Sequence, residues 1–374
     1  MKDKHLHIVA LNIPFPADYG GVIDIYHKIK ALSEHGLKIH LHCFQYGREK
    51  AEILNKLCNS VHYYPRKMKW LNLFSKTPFI VKSRTSEKLL QNLQNIHAPI
   101  LFEGLHSCAC FNNPLLQSQK QFVRAHNIEA DYYKALAKSE KKLLDKFYLF
   151  TEHYKIKTYE FKLKEASGIF SISLKDHKYF NKIGSSHYIK AFHSDTEISS
   201  LEGIGEYAIY HGNLSVAENE DAALFLVQKV FSRLDYPLVI TGYSPSKKLR
   251  HIVKPYNHIR IVENPEESIL ERMLKNAHIQ VLPTTQDTGI KLKLLKSLHE
   301  GRHCIVNGKM VNETGLESLC HIVEKPNEWI DKIKELEEVP FSTEEIQARK
   351  DLMLEEFNSN TEAEKIIQII YPQD

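Results

Sequence analysis

Apolar residues recur along this chain in two alternating rhythms. Residues 7–12 and 38–44 are short, nearly continuous apolar runs, the pattern of strands buried on both faces. Between them Val22, Ile25, Tyr26, Ile29 and Leu32 fall on one face of a helix over 22–35, and Gly36 supplies its left-handed stop. Strand, helix and strand joined this closely require parallel strands and a right-handed crossover. The rhythm continues with strands at 60–64, 99–103, 121–125 and 168–173, and a long helical region over 131–165. It then repeats, with strands at 207–211, 237–241, 259–262, 278–282 and 303–306 and helices at 219–230, 246–253, 268–276 and 291–300. The fold class expected is α/β: two Rossmann-like doubly wound domains facing a central cleft at the carboxyl ends of their strands. The first occupies 1–195 and the second 206–341, with a polar join at 193–205 carrying Gly203 and Gly205. A helical tail over 342–374 is expected to pack back on the first domain through residues such as Ile346, Met353, Phe357 and Ile366.

Composition sharpens this picture in three ways. A chain of 374 residues with 43% hydrophobic and 26% charged residues suits two globular domains. Its apolar runs are too short to cross a bilayer, and His5 and His7 interrupt the first one, so a cytoplasmic protein without a signal peptide is expected. Residues 1–200 hold 30 Lys and Arg against 18 Asp and Glu, a formal +12, whereas residues 201–374 hold 20 against 28, a formal −8. Halves of opposite sign argue for different partners, the basic half meeting an anionic surface or acceptor. No nucleic-acid-binding module accompanies that charge.

The six cysteines form no metal or disulfide pattern: Cys108 and Cys110 are spaced wrongly for a zinc knuckle and the rest are scattered. Several of the 21 histidines alternate with apolar residues, as in His5-Leu6-His7 and His40-Leu41-His42, which reads as strands with one polar face rather than as metal sites. Between 63 and 84, Arg66, Lys67, Lys69, Lys76, Lys82 and Arg84 interleave with Trp70, Leu71, Leu73, Phe74 and Phe79. This mixture suits the headgroup region of an anionic membrane, the other reading being a helix and loop with an apolar side in the core.

Three stretches carry candidate chemistry. After the first strand comes Pro14-Phe15-Pro16-Ala17-Asp18-Tyr19-Gly20-Gly21, whose two glycines let backbone approach a phosphate at a helix start. It is not the glycine fingerprint of dinucleotide enzymes, which counts against a dehydrogenase. The second stretch, Val123-Arg124-Ala125-His126-Asn127-Ile128-Glu129, puts Arg124 and His126 at a strand end, where His126 can contact a sugar hydroxyl or stabilise charge. Asn127 and Glu129 as helix caps are the plainer reading. Glu103-Gly104-Leu105-His106 ends another strand and makes Glu103 and His106 further candidates. The third stretch runs from Thr288 through Gly289, Ile290, Lys291 and Lys293 to Gly301, placing two cations at a helix start, where a diphosphate would bind.

Taken together, the order and separation of these stretches resemble the GT-B glycosyltransferases, above all their retaining family four. The resemblance spans nearly the whole chain. It implies transfer of a hexosyl group from a nucleoside-diphosphate sugar to a glycan acceptor, with retention and without a metal or other cofactor; a membrane contact through 63–84 would make the acceptor a polyprenyl-linked sugar at the inner membrane face. It also implies a histidine at the position of His126 that contacts the transferred sugar; Glu103 is a second catalytic candidate from its place at a strand end alone. Gly20, Gly21, His106, Arg124, Gly212, Asn213, Thr288, Gly289, Ile290, Lys291 and Lys293 then form the substrate-binding set. The chain departs from the family at two places. The two glutamates usual in the third stretch are replaced by Thr288 and Lys296, and the usual Arg and Lys after the first strand of the second domain give way to His211-Gly212-Asn213-Leu214-Ser215. Two other readings are therefore a non-catalytic binding partner of the same fold and a sugar-nucleotide epimerase.

Overall fold

The structure, a computed structural model, describes residues 4–17, 20–69, 72–73, 75–140, 142–193, 197–285 and 291–372. Contacts divide the chain into two units, residues 1–194 with 359–374, and residues 195–358.

The first unit is built on seven strands: β1 (His5–Ala10), β2 (Lys38–Gln45), β3 (Ser60–Pro65), β4 (Ile100–Glu103), β5 (Gln121–Ala125), β6 (Gly168–Ser171) and β7 (Ser186–Tyr188). They pair in the order β3-β2-β1-β4-β5-β6-β7, every pairing parallel. Chain direction across the sheet reverses between β1 and β4, which makes that point the switch where an open α/β sheet opens a crevice. Helix α1 (Gly20–Glu34) covers one face with Val22, Ile25, Ile29 and Leu32, and it also buries Asp24 and Lys28.

The expected helical region 131–165 is interrupted. Helix α2 (Glu129–Ser139) and helix α3 (Leu143–Glu160) lie side by side, and a 3₁₀ turn follows. The tail is likewise two helices rather than one, and they belong to different units. The carboxyl-terminal helix, Ser359–Ile370, joins the first unit, where Ala363, Ile366 and Ile370 share a core with Ile25 and Ile29. Its buried Glu362 accepts the amide of Lys190 at 2.8 Å.

Histidines of β1 to β3 do not make a solvated face. His7, His40 and His42 are all buried with their rings side by side; His40 bonds His5 and Ser60, while His7 and His42 bond each other. His7 Nε2 donates to the carbonyl of Ile96 at 2.9 Å, leaving its Nδ1 to accept from His42 Nε2 at 3.0 Å. His42 Nδ1 in turn accepts the Tyr64 hydroxyl at 2.8 Å, and Asn92 donates to that hydroxyl. Each ring needs one proton, so the row closes with neutral imidazoles. Burial and the neighbouring rings lower His40 to about 4 and hold His42 well below the usual histidine range.

The second unit carries β8 (Ala208–His211), β9 (Leu238–Gly242), β10 (Ile259–Glu263), β11 (Ile279–Leu282), β12 (His303–Val306) and β13 (His321–Ile322). Its order is β10-β9-β8-β11-β12-β13, again wholly parallel, with the switch between β8 and β11. The unit also carries helices α4 (Ala217–Phe225), α5 (Leu292–Glu300) and α6 (Thr343–Glu356). Leu294, Leu295 and Leu298 of α5 point inward.

Candidate functional site

At the switch point of the first sheet, α1, β4 and β5 bring five polar side chains together. Asp24 is the hub and accepts four bonds: Arg124 Nη2 at 2.8 Å and the Phe192 amide at 2.9 Å on Oδ1, Lys28 Nζ at 2.9 Å and Arg124 Nε at 3.1 Å on Oδ2. Lys28 also donates to Glu103 Oε2 at 2.9 Å, and His126 Nε2 meets the same oxygen at 3.2 Å. Two acids and two bases thus cancel in a dry place, with Phe192 beneath both cations. Burial alone would raise Asp24, but Arg124 and then Lys28 overcome it and hold the carboxyl well below its usual range. Of the five, only His126 reaches toward solvent, with 12% of its side chain exposed.

This arrangement corrects one expectation. Arg124 is fully buried, and its remaining donors go to the carbonyls of Ile189 and Lys190 at 2.6 and 2.8 Å. It ties β5 to the segment after β7 and does not present itself to a ligand. Glu103 is fully buried as well; its Oε2 holds Lys28 and His126, while Oε1 has no hydrogen-bond partner. Gly104 bends the chain after β4 at φ +69, and a side chain there would meet His106 and His126 at 3.3 and 3.6 Å. His106 faces Glu129 at 3.7 Å. Burial and then Glu160 raise Glu129 to about 8, while burial and then Arg84 hold His106 well below the usual imidazole range. Neither Asn127 nor Glu129 caps α2, whose N-cap is Ile128 without a side-chain bond. Gly20 and Gly21 open α1, while Asp18 and Tyr19 lie outside the described residues.

Asp24 and Lys28 are the residues that sequence reasoning missed. An Asp and a Lys four apart on a helix ordinarily read as a solvated pair. The available signal was their place beside Val22, Ile25 and Ile29 on a helix between two buried strands.

The second unit has its own cluster at the switch between β8 and β11. Lys293, in the first turn of α5, donates to Asn219 Oδ1 at 3.0 Å and lies 5.2 Å above the Tyr210 ring. Burial lowers it to about 8 despite Glu218, whose carboxylate accepts from Thr284 just beyond β11. Asn219 donates to the Asn213 carbonyl at 2.9 Å, and a side chain at Gly212 would press on Asn219 at 3.3 Å. Gly212, Asn213 and Lys293 are therefore brought together, and Lys291 is the N-cap residue of α5. Thr288, Gly289 and Ile290 lie outside the described residues. Lys296, which stands where the family has a glutamate, is paired with Glu267 at 2.6 Å and Glu300 at 2.9 Å. His211, lowered to about 3 by burial and then by Lys293, meets Ser297 Oγ at 2.8 Å.

The basic aromatic stretch 63–84 is only partly on the surface. Trp70, Leu71 and Phe74 lie outside the described residues, Ile80 and Val81 are core, and buried Arg84 donates to the carbonyls of Leu11 and Ile80. The most exposed large apolar side chains lie on α3 instead: Leu143, Leu144 and Phe147 at 82, 86 and 71%. Among the described residues no helix is long and apolar enough to cross a membrane.

Two parallel Rossmann-like sheets with flanking helices define the GT-B fold, that of the glycosyltransferases this chain matches over nearly its whole length. A TarM variant from S. aureus, in complex with fondaparinux, alpha-GlcNAc-glycerol and UDP, superposes with a TM-score of 0.70 at 10% identity, covering 99% of this chain and 100% of that one. Sucrose-phosphate synthase from Thermosynechococcus elongatus gives 0.67 at 15% identity, covering 98% of each. Anabaena HepE, in complex with UDP and glucose, gives 0.63 at 10% identity, again over 98% of each. In sequence, an uncharacterised 44.6 kDa protein in the cps region of Klebsiella pneumoniae is 24% identical over 314 residues, 78% of this chain and 79% of that protein. No family model matches the chain.

Proposed function

We propose that the protein is a glycosyltransferase of the family-four kind, moving a hexosyl group from a nucleoside-diphosphate sugar to a glycan or lipid-linked acceptor in polysaccharide biosynthesis. The observation that carries this reading is Lys293, a nearly dry cation at the switch point of the second sheet, at the start of a helix. Transfer breaks the bond between the anomeric carbon and a diphosphate oxygen. The electron pair leaves with the diphosphate, and the acceptor oxygen bonds the carbon and gives up its proton. Negative charge grows on the leaving group, where a lysine and helix-start amides stabilise it most. Lys291 and the 288–290 segment complete that site in this reading, with Gly212 and Asn213 beside the donor.

On the first unit, His126 is the group that meets the sugar. Glu103 orients it from a buried position, which makes Glu103 a positioning residue rather than one that touches substrate. Gly20, Gly21 and His106 border the same switch point. Asp24, Glu103 and His126 are close enough to surround a cation, but Lys28 and Arg124 already neutralise both carboxylates. Metal-independent transfer therefore fits this site, and retention belongs to the same reading through the family resemblance. UDP is the first nucleotide to test, since UDP accompanies TarM and HepE. A lipid-linked acceptor would place the protein at the cytoplasmic face of a membrane, and the apolar end of α3, flanked by Lys142 and Lys146, supplies the contact.

The test is a thermal-shift screen against UDP, GDP, ADP, dTDP and their sugar conjugates. A ligand at a hundred times its dissociation constant adds about 2.7 kcal/mol to the native state. One nucleotide should raise the melting temperature, and Lys293→Ala should weaken its binding about tenfold or more, the worth of a charged hydrogen bond. His126→Ala should abolish turnover while keeping nucleotide affinity. No shift with any nucleotide would overturn the transferase reading in favour of a non-catalytic partner, and turnover without transfer to an added acceptor would favour an epimerase.

A further inference from the structure

We propose that His303, His321 and Glu345 form a binding site for a divalent transition-metal ion of the zinc type, at the edge of the second sheet. This site is separate from the clusters described above and does not depend on the reaction assigned to them. His303 opens β12, His321 opens the edge strand β13, and Glu345 stands in the first turn of α6. Ile305 pairs with His321 in parallel register, so residues 303, 305 and 321 share one face and the two imidazoles are diagonal neighbours. One ligand atom from each residue lies within 4.8 Å of the other two.

His303 is the decisive residue. Its Nε2 donates to the Val339 carbonyl at 2.9 Å, which places the ring proton there and leaves Nδ1 as a bare lone pair. That nitrogen is buried without a hydrogen-bond partner, and the side chain is only 2% exposed. It faces Glu345 Oε1 at 3.5 Å. A lone pair and a carboxylate oxygen repel at this distance until a cation joins them. Glu345 is itself held in place: its Oε2 accepts the Ser342 amide at 2.9 Å, and Ser342 Oγ accepts the Glu345 amide at 3.2 Å. A backbone carbonyl behind the histidine and a capping box behind the carboxylate are the outer partners that orient metal ligands.

The distances fit a small ion. Ligands about 2.0–2.1 Å from a tetrahedral zinc lie roughly 3.3 Å apart, close to the His303–Glu345 separation. His321, partly exposed on a two-residue edge strand, has the freedom to close the remainder. Two imidazole nitrogens and one carboxylate oxygen suit zinc, nickel or copper and not magnesium or calcium. Three protein ligands leave a fourth position for water. The charges of Arg302 and Arg349 reach His303 and oppose a dication, so the site is expected to bind more weakly than a four-cysteine structural site.

The experiment uses the full chain, dialysed against EDTA and titrated with Zn²⁺ in competition with a chromophoric chelator, with Co²⁺ as an optical probe. The wild type is expected to bind a single ion tightly and to give the visible absorption of tetrahedral Co²⁺. Glu345→Gln, which keeps a capping-box residue, and His321→Ala should each lower affinity at least tenfold. Both variants spare the buried His303 and should remain folded by circular dichroism. Failure of the wild type to bind, or equal binding by both variants, would overturn the site; the latter result would move the metal to other histidines.

Discussion

At the scale of the residue, the first unit concentrates its electrostatics on Asp24. Four donors converge on one carboxylate that is 1% exposed, and without its charge Arg124 would lose its acidic partner while Lys28 would keep only Glu103. Breaking a buried pair from one side typically costs about 3–5 kcal/mol, more than the pair contributes relative to an apolar replacement. Asp24→Asn keeps the shape and removes the charge. It should lower unfolding free energy by roughly that amount in urea titration at neutral pH. A loss under about 1 kcal/mol would mean that water reaches the cluster and screens it. Arg124 was visible in the sequence as a cation at a strand end, yet its role was misread. Whether such a side chain turns outward or into the sheet depends on where Asp24 stands, and Asp24 is a hundred residues away.

At the scale of the element, the histidine row across β1, β2 and β3 links stability to pH. Its rings are neutral in the folded protein, and His40 is lowered to about 4, first by burial and then by His7. An unfolded histidine titrates near 6.5, so the row's contribution is complete above about pH 6.5. It falls as acid protonates the unfolded chain, and for His40 the fall ends near 4. Glu129, raised to about 8, acts in the opposite sense, weakening the fold as pH rises from its unfolded value. A comparison of wild type with His40→Asn cancels that carboxyl. The wild type should lose stability more steeply between about pH 6.5 and 4. Parallel slopes in chemical denaturation would show that the row carries no such linkage. Alternation at His5-Leu6-His7 was legible as a strand with one polar face, but not that this face is buried. Its partners come from elsewhere in the chain: the Ile96 carbonyl meets His7, and Asn92 meets the Tyr64 hydroxyl that His42 accepts.

At the scale of the whole molecule, the charge asymmetry of the sequence meets a surface that periodicity did not locate. Leu143, Leu144 and Phe147 stand exposed beside Lys142 and Lys146 on the unit that carries the net positive charge. Replacing the three apolar residues with serine should reduce sedimentation with vesicles containing anionic lipid while leaving nucleotide binding intact. Unchanged sedimentation would return the membrane contact to 63–84 or remove it. Parallel pairing and the α/β class were readable because buried strands and amphipathic helices impose their own periods and their short joints leave few topologies; the order of the strands came from the structure. The two shortest strands, β7 and β13, were not, since two or three residues carry no period. The places of His126 after a strand and of Lys293 at a helix start were likewise legible. What only the tertiary structure decided is which polar side chains meet: the Asp24–Lys28–Glu103–Arg124 cluster, the neutral histidine row and the convergence of His303, His321 and Glu345. These contacts join residues from four to a hundred positions apart, and their geometry is set by packing, which local sequence does not encode.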